Sequence, residues 1–287
     1  MYAATRTSTR AKMRQWRILF LFLGWARAGA RPLTSAHEWR TVHVYVGEGG
    51  QYDVPESVYP QLAGGEGEWR GQCQQDAAVA RVLGGQRDGF FVDLGAHDAL
   101  VFSNTVVLEQ RYGWRGLCIE PVEAYHWGLA HRACQVVSAV VGDGTGAVEF
   151  DARLTPGAAC PGCAGIVSPH TDNRAALHAA DARRRPTVRL DTLMALFGAP
   201  RVIDYLSLDI EGAETDALRA LFYADAYHVR VLTVERPNAK ARSLLREKGY
   251  RFVRALCPEH GDLLYAHRNE TVAEDEFAVC GHWCAGP

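Results

Sequence analysis

The sequence predicts an α/β fold: a doubly wound, mostly parallel sheet that ends in an antiparallel hairpin. Three observations carry this. Short apolar runs at 90–94, 116–120, 136–141, 202–209 and 229–235 alternate with segments of helical period. The first run ends in Asp93-Leu94-Gly95, a strand, tight turn and helix start, the arrangement by which an open α/β sheet builds a ligand pocket. The last two runs, 250–255 and 262–267, are joined by a short turn around Pro258 and Gly261. So short a connection joins only antiparallel neighbours.

The elements follow in chain order. Residues 31–72 are irregular and rich in Gly and Pro, with a short strand at 42–46, and read as an N-terminal extension packed on the domain. A helix at 75–83 precedes the first strand at 90–94. A helix is expected at 103–112, where Val106, Val107 and Leu108 feed an apolar face, and another at 123–132. Strands are expected at 116–120 and 136–141. After 148–150 the pattern breaks, and 153–185 reads as an insertion or lid whose Arg183, Arg184 and Arg185 form a solvated basic run. The strand at 202–209 feeds a helix at 213–222, and the strand at 229–235 feeds one at 239–248 that stops at Gly249. This places one domain at 73–268, with a tail at 269–287.

Length and composition agree. The chain has 287 residues, 48% of them hydrophobic, enough for one large α/β domain with terminal extensions. A net charge of -2 gives no global basic field, so nucleic acid is not an expected partner. Arg6, Arg10, Lys12, Arg14 and Arg17 precede any acidic residue, an apolar run covers 18–25, and small-residue triplets follow at 26–30. Residues 1–30 therefore read as a secretory signal peptide or an uncleaved signal anchor, with an organelle transit peptide as the alternative. Membrane contact is expected only if the segment stays as an anchor. Eight cysteines and the sequon Asn269-Glu270-Thr271 agree with the secretory route. Cys160 and Cys163, like Cys280 and Cys284, read as local disulfides, and Cys118, inside a strand, as a buried thiol.

The chemistry-bearing residues cluster at predicted strand ends. The turn after the first strand offers Asp93, Gly95, Ala96, His97 and Asp98. It lacks the G-x-G-x-x-G pattern that lets backbone approach a pyrophosphate, which disfavours a dinucleotide. Glu120 ends the second strand, where an acid typically meets ribose hydroxyls, and Asp143 follows the third, where a carboxylate could take an adenine amine. Asp209 and Glu211 lie at the mouth of the fourth strand, within the run from Ser207 to Glu214. They can accept a proton from a substrate hydroxyl or hold a divalent ion, and Glu235, ending the fifth strand, could join them. Gly212 permits the sharp turn into the next helix, and Glu214 suits its first turn as a cap.

Several segments match one family in order: Gln75-Asp76, the stretches 89–121, 188–193 and 203–214, and Val231 to Glu235. Over roughly 70–268 the chain resembles the FkbM methyltransferases, and its architecture resembles the Rossmann-like fold of class I S-adenosylmethionine-dependent methyltransferases. The resemblance implies methyl transfer from S-adenosyl-L-methionine to a hydroxyl of a sugar, lipid or secondary metabolite. It implies cofactor contacts from the turn at 93–98 and from Glu120, and acceptor chemistry at Asp209 and Glu211. Where the family pattern has glycine after His97-Asp98, this chain has Ala99. Left-handed backbone there would cost alanine about 1 kcal/mol. That leaves a second expectation, a non-catalytic protein on the same fold acting by protein contacts in the secretory pathway.

Overall fold

The computed structural model describes residues 69–152, 164–169, 171, 182–258 and 260–272, together with the backbone of 43–46. In order the elements are β1 (His43–Val46), α1 (Gln75–Val82), β2 (Phe90–Leu94), α2 (Val106–Tyr112), β3 (Arg115–Ile119) and α3 (Glu123–Leu129). Then come β4 (Gln135–Ser138), β5 (Val140–Val141), β6 (Ala147–Asp151), β7 (Gly165–Ile166), β8 (Arg183–Val188) and α4 (Leu190–Leu196). The last are β9 (Val202–Leu208), α5 (Glu214–Phe222), β10 (His228–Val234), α6 (Ala239–Glu247), β11 (Tyr250–Cys257) and β12 (Asp262–His267).

The main sheet is mixed and runs β1-β4-β3-β2-β9-β10-β12-β11. Its centre, from β4 to β10, is parallel, while β1 at one edge and the β12-β11 pair at the other are antiparallel. Central strands are buried on both faces. Val92, Leu94, Leu206 and Leu232 meet Leu193, Leu218, Leu221 and Leu245 from α4, α5 and α6. Phe91, Tyr205 and Val231 meet Val79 of α1 and Leu108 of α2. Two-sided burial is why these strands read as continuous apolar runs instead of alternating ones.

Several expectations are corrected. Residues 136–141 are not one strand: the chain breaks at Ala139, and β5 leaves the main sheet to pair in parallel with β8. The segment read as a solvated basic run is also a strand, because β8 pairs antiparallel with β6 (Glu149 opposite Arg184) in a second sheet, β5-β8-β6-β7. The helix expected at 103–112 starts at Val106, with Thr105 as its N-cap, and Ser103 Oγ accepts the Val106 N–H at 3.2 Å from the turn ahead of it. The helix expected at 123–132 ends at Leu129, and Arg132 turns into the interior. There its guanidinium pairs with Glu109 at 2.9 Å and donates to Ser103 Oγ and Thr105 Oγ1.

Cys118 is not a buried thiol. It forms a disulfide with Cys134, joining β3 to the start of β4 (Cα–Cα 5.9 Å). A second disulfide, Cys73–Cys257, ties the approach to α1 to the end of β11 across 184 residues. Among the described residues no cysteine is free and no helix is long and apolar enough to cross a membrane. The expected N-terminal targeting segment, Cys160, Cys163, Cys280, Cys284 and most of the expected insertion lie outside the described residues.

Candidate functional site

The parallel strands β2, β3, β9 and β10 all end at one edge of the sheet, and their C-terminal residues border a cavity of ≈ 570 Å³. That volume lies within the range of small-molecule sites, about 300–1,000 Å³. Asp93, Gly95, Ala96, His97 and Glu120 line one part of it, and Asp209, Glu211, Glu235, Arg236 and His260 another.

Gly95 joins the two parts. Its φ is +83°, and a Cβ there would stand 1.9 Å from the carbonyl oxygen of Asp209. The Asp209 N–H donates to Leu94 O at 3.1 Å, and the Gly95 N–H donates to Ile119 O at 3.0 Å. The turn after β2 is therefore stitched to the ends of β3 and β9 at once. Asp93 lies beneath it, its Oδ2 accepting the Thr105 hydroxyl at 2.6 Å. Burial raises its pKa, against the pull of Arg132 and hydrogen bonds from Thr105 and Ser207.

Glu120 organises the next turn. Its Oε2 accepts the His97 N–H at 2.8 Å and its Oε1 the Val122 N–H at 2.7 Å. Burial nevertheless pushes its pKa up to about 7. His97 has a left-handed backbone (φ 52°), and its Nε2 shares a 2.6 Å hydrogen bond with the Tyr125 hydroxyl. Burial lowers the imidazole pKa, keeping the ring neutral, and its Nδ1 is buried with no hydrogen-bond partner. Behind this turn, Val122, Val140 and Phe150 form an apolar wall with Ile166.

In the other part, carboxylate oxygens of Asp209, Glu211 and Glu235 lie within 4.8 Å of one another. Arg236 donates from Nη2 to Glu211 Oε2 at 2.8 Å and also to Glu235 Oε1. Protein crowds the Asp209 carboxyl, and burial raises its pKa well above the usual range. The charge of Glu235, a hydrogen bond shared with it, and the charges of Asp262 and Glu211 add to the rise. Glu235 Oε2 is buried without a partner. Three carboxylates so close could share a cation, but Arg236 already supplies positive charge there.

Backbone strain concentrates at this edge. Of the seven non-glycine residues with positive φ among the described residues, four line the cavity: His97, Phe102, Glu211 and Arg236. Such residues persist only where the surroundings impose them, and they collect at binding sites.

Two predicted residues are not brought to the cavity lining. Asp143 is exposed and accepts the Thr145 N–H and hydroxyl, closing its own turn, while Val140 and Val141 of β5 line the cavity instead. Asp98 turns back to accept the Leu100 and Val101 N–H groups. Ala99 carries no left-handed strain: its methyl is fully buried in the core, and the left-handed position is His97. Glu214 caps the turn after β9 by accepting the Ile210 and Gly212 N–H groups. Tyr125, Arg236 and His260 were not singled out from sequence. Arg236 follows a predicted strand end and was the most accessible of them, whereas His260 reaches the cavity only through the β11-β12 pairing.

The buried acids imply an unusual pH response. Burial raises Asp76 and Asp262 to about 6, and Glu120 and Glu214 to about 7. Each then binds its proton more tightly folded than unfolded, so each favours folding at low pH and loses that advantage as pH rises from about 4 to 7. Two histidines with lowered pKa values, His97 and His267, oppose this below about pH 6.5. Four carboxyls outweigh two imidazoles. The ligand-free protein is expected to melt at least about 3 °C higher near pH 5.5 than near pH 7.5. Scanning calorimetry across that range checks it, and a Tm that climbs with pH would contradict the burial of these acids.

No curated protein matches the chain at a significant level. The family model described as the methyltransferase FkbM domain matches residues 93–252, more than half of the chain, from Asp93 at the first turn to Phe252 in β11. Those residues include the ends of β2, β3, β9 and β10 that border the cavity, and the chain belongs to the FkbM methyltransferase domain family.

Proposed function

We propose that the protein is an S-adenosylmethionine-dependent O-methyltransferase of the secretory pathway, on a doubly wound, Rossmann-like domain covering 73–268. The observation that carries this reading is the convergence on one cavity of the Glu120-held turn and the Asp209–Glu235 acid pair. The first part suits the cofactor. Glu120 has lone pairs left for ribose hydroxyls, the turn at Gly95 and Ala96 brings backbone close to a ligand, and His97 Nδ1 is an unfilled polar position. The apolar wall of Val140, Phe150 and Ile166 suits a flat base, in place of the contact expected from Asp143.

When bound, S-adenosylmethionine supplies a methyl group made electrophilic by its sulfonium. The protein's task is then to align an acceptor oxygen with that carbon and to remove the oxygen's proton. Asp209, whose affinity for a proton is raised by burial and by the neighbouring Glu235, takes the proton from an acceptor hydroxyl. Arg236 offsets the like charges that would otherwise force the cluster apart, and Glu211 orients Arg236. The acceptor is a hydroxyl of a sugar, lipid or secondary metabolite. Two buried disulfides in the domain support an oxidising compartment.

Calorimetric titration with S-adenosylmethionine tests the reading, and no binding at millimolar cofactor would defeat it. The variant Glu120→Gln is expected to weaken binding roughly 10–100-fold, the loss of a hydrogen bond to a charged acceptor worth about 1.5–3 kcal/mol. Its amide nitrogen would also face a backbone N–H that the carboxylate now accepts. Because the Glu120 pKa is raised to about 7, wild-type affinity is expected to fall as pH drops below that value, and the Gln variant should lose this dependence.

A further inference from the structure

Asn269-Glu270-Thr271 is the single N-x-Ser/Thr sequence in the chain, and the domain presents it as an acceptor would be presented. It follows β12, which runs antiparallel to β10. The first residue of β12, Asp262, lies beside the acid cluster, whereas its last, His267, packs on His228 at the opposite end of β10 (ring centroids 4.5 Å). A strand of that length spans roughly 20 Å, so the sequon stands at the sheet edge away from the cavity. Asn269 and Thr271 are both exposed, and Asn269 lies in a turn. The turn is pinned on either side of the asparagine side chain. The Asn269 N–H donates to His267 Nδ1, Glu270 pairs with Arg230 at 2.8 Å, and Val272 is buried. Among the described residues Asn269 is bonded only through its backbone N–H, to His267, so substitution at Nδ2 breaks no hydrogen bond there.

We propose that Asn269 is an N-glycosylation site, an inference that rests on the secretory reading above. The donor is a lipid-pyrophosphate-linked oligosaccharide and the catalyst a lumenal oligosaccharyltransferase. The Asn269 Nδ2 attacks the anomeric carbon. A C–N bond forms, the C–O bond to pyrophosphate breaks, the lipid pyrophosphate leaves with the electron pair, and the amide proton passes to a base of the transferase. Thr271 supplies the hydroxyl that marks the sequon. The glycan projects from the edge remote from the cavity and leaves the site open.

The test is expression of the full chain with a C-terminal tag in eukaryotic cells, followed by N-glycosidase digestion and protease protection of sealed microsomes. The expected result is a protected chain whose gel mobility increases by one glycan on digestion. The shift is lost in Asn269→Gln and Thr271→Ala and kept in Thr271→Ser, while Asn269→Gln binds S-adenosylmethionine as wild type does. A protected chain with no shift overturns the assignment of Asn269 and leaves the secretory reading standing. A chain exposed to protease and unshifted overturns both. A shift that survives in Asn269→Gln also overturns the site.

Discussion

Gly95→Ala is expected to lower stability by about 2–4 kcal/mol and to abolish cofactor binding. The alanine would be held at φ +83°, a left-handed conformation that costs an L-residue about 1 kcal/mol or more. Its Cβ would stand 1.9 Å from the Asp209 carbonyl oxygen, a backbone atom that no rotamer change can move away. Either the turn after β2 or the turn after β9 must retreat, and overpacking of this kind costs about 1–3 kcal/mol. Retreat of the first removes the Gly95 N–H from Ile119 O, and retreat of the second moves Asp209 away from Glu235. Urea unfolding with cofactor calorimetry reads both losses. The companion Ala99→Gly removes one buried methyl at an ordinary φ and should cost only about 1 kcal/mol. Equal effects from the two variants would show that the joint at Gly95 has been misread.

Asp209→Asn is expected to reduce turnover about 10²–10⁴-fold, the usual contribution of a general base, with cofactor affinity unchanged. The reason is the carboxylate itself: burial and the charge of Glu235 raise the affinity of Asp209 for a proton, and an amide at 209 cannot accept one. Glu235→Gln should fall by a similar factor, and the double variant by little more than either, as for groups that act as a unit. Because the Asp209 pKa is raised by burial and by Glu235, the wild-type rate should decline with falling pH from a point above the ordinary carboxylate range. Single-turnover methyl transfer to a hydroxyl acceptor is the measurement. Full activity in Asp209→Asn would remove the acid pair from the mechanism.

Local features read well from sequence where neighbours in the chain decide them. Phe90–Leu94 was legible as a strand because it is buried on both faces and reads as an unbroken apolar run. Gly249, at φ +87°, ends α6 at the position its type predicts. Asp93, Glu120 and Asp209 were placed at strand ends because strands in such folds present their C-terminal residues to ligands. Residues 136–141 were not legible as two strands, since an apolar run gives no sign of which sheet it joins. Nor was it legible that Asp143 would close its own turn outside the cavity lining, since that depends on the break at Ala139.

The alternation of strands and helices, the hairpin at the end, the turn at Gly95 and the acids at strand ends were all determined by the sequence, through periodicity and turn chemistry that act over a few residues. Tertiary structure decided which of those acids meet. It places β2 between β3 and β9, so that Gly95 donates to Ile119 O, one residue before Glu120, and abuts the carbonyl of Asp209. It also brings Glu235, Arg236 and His260 to Asp209, pairs Cys118 with Cys134, and puts a left-handed backbone at His97 and not at Ala99. These outcomes depend on sheet order and strand pairing between residues far apart in the chain, and a local pattern carries no record of which distant strand will lie beside it.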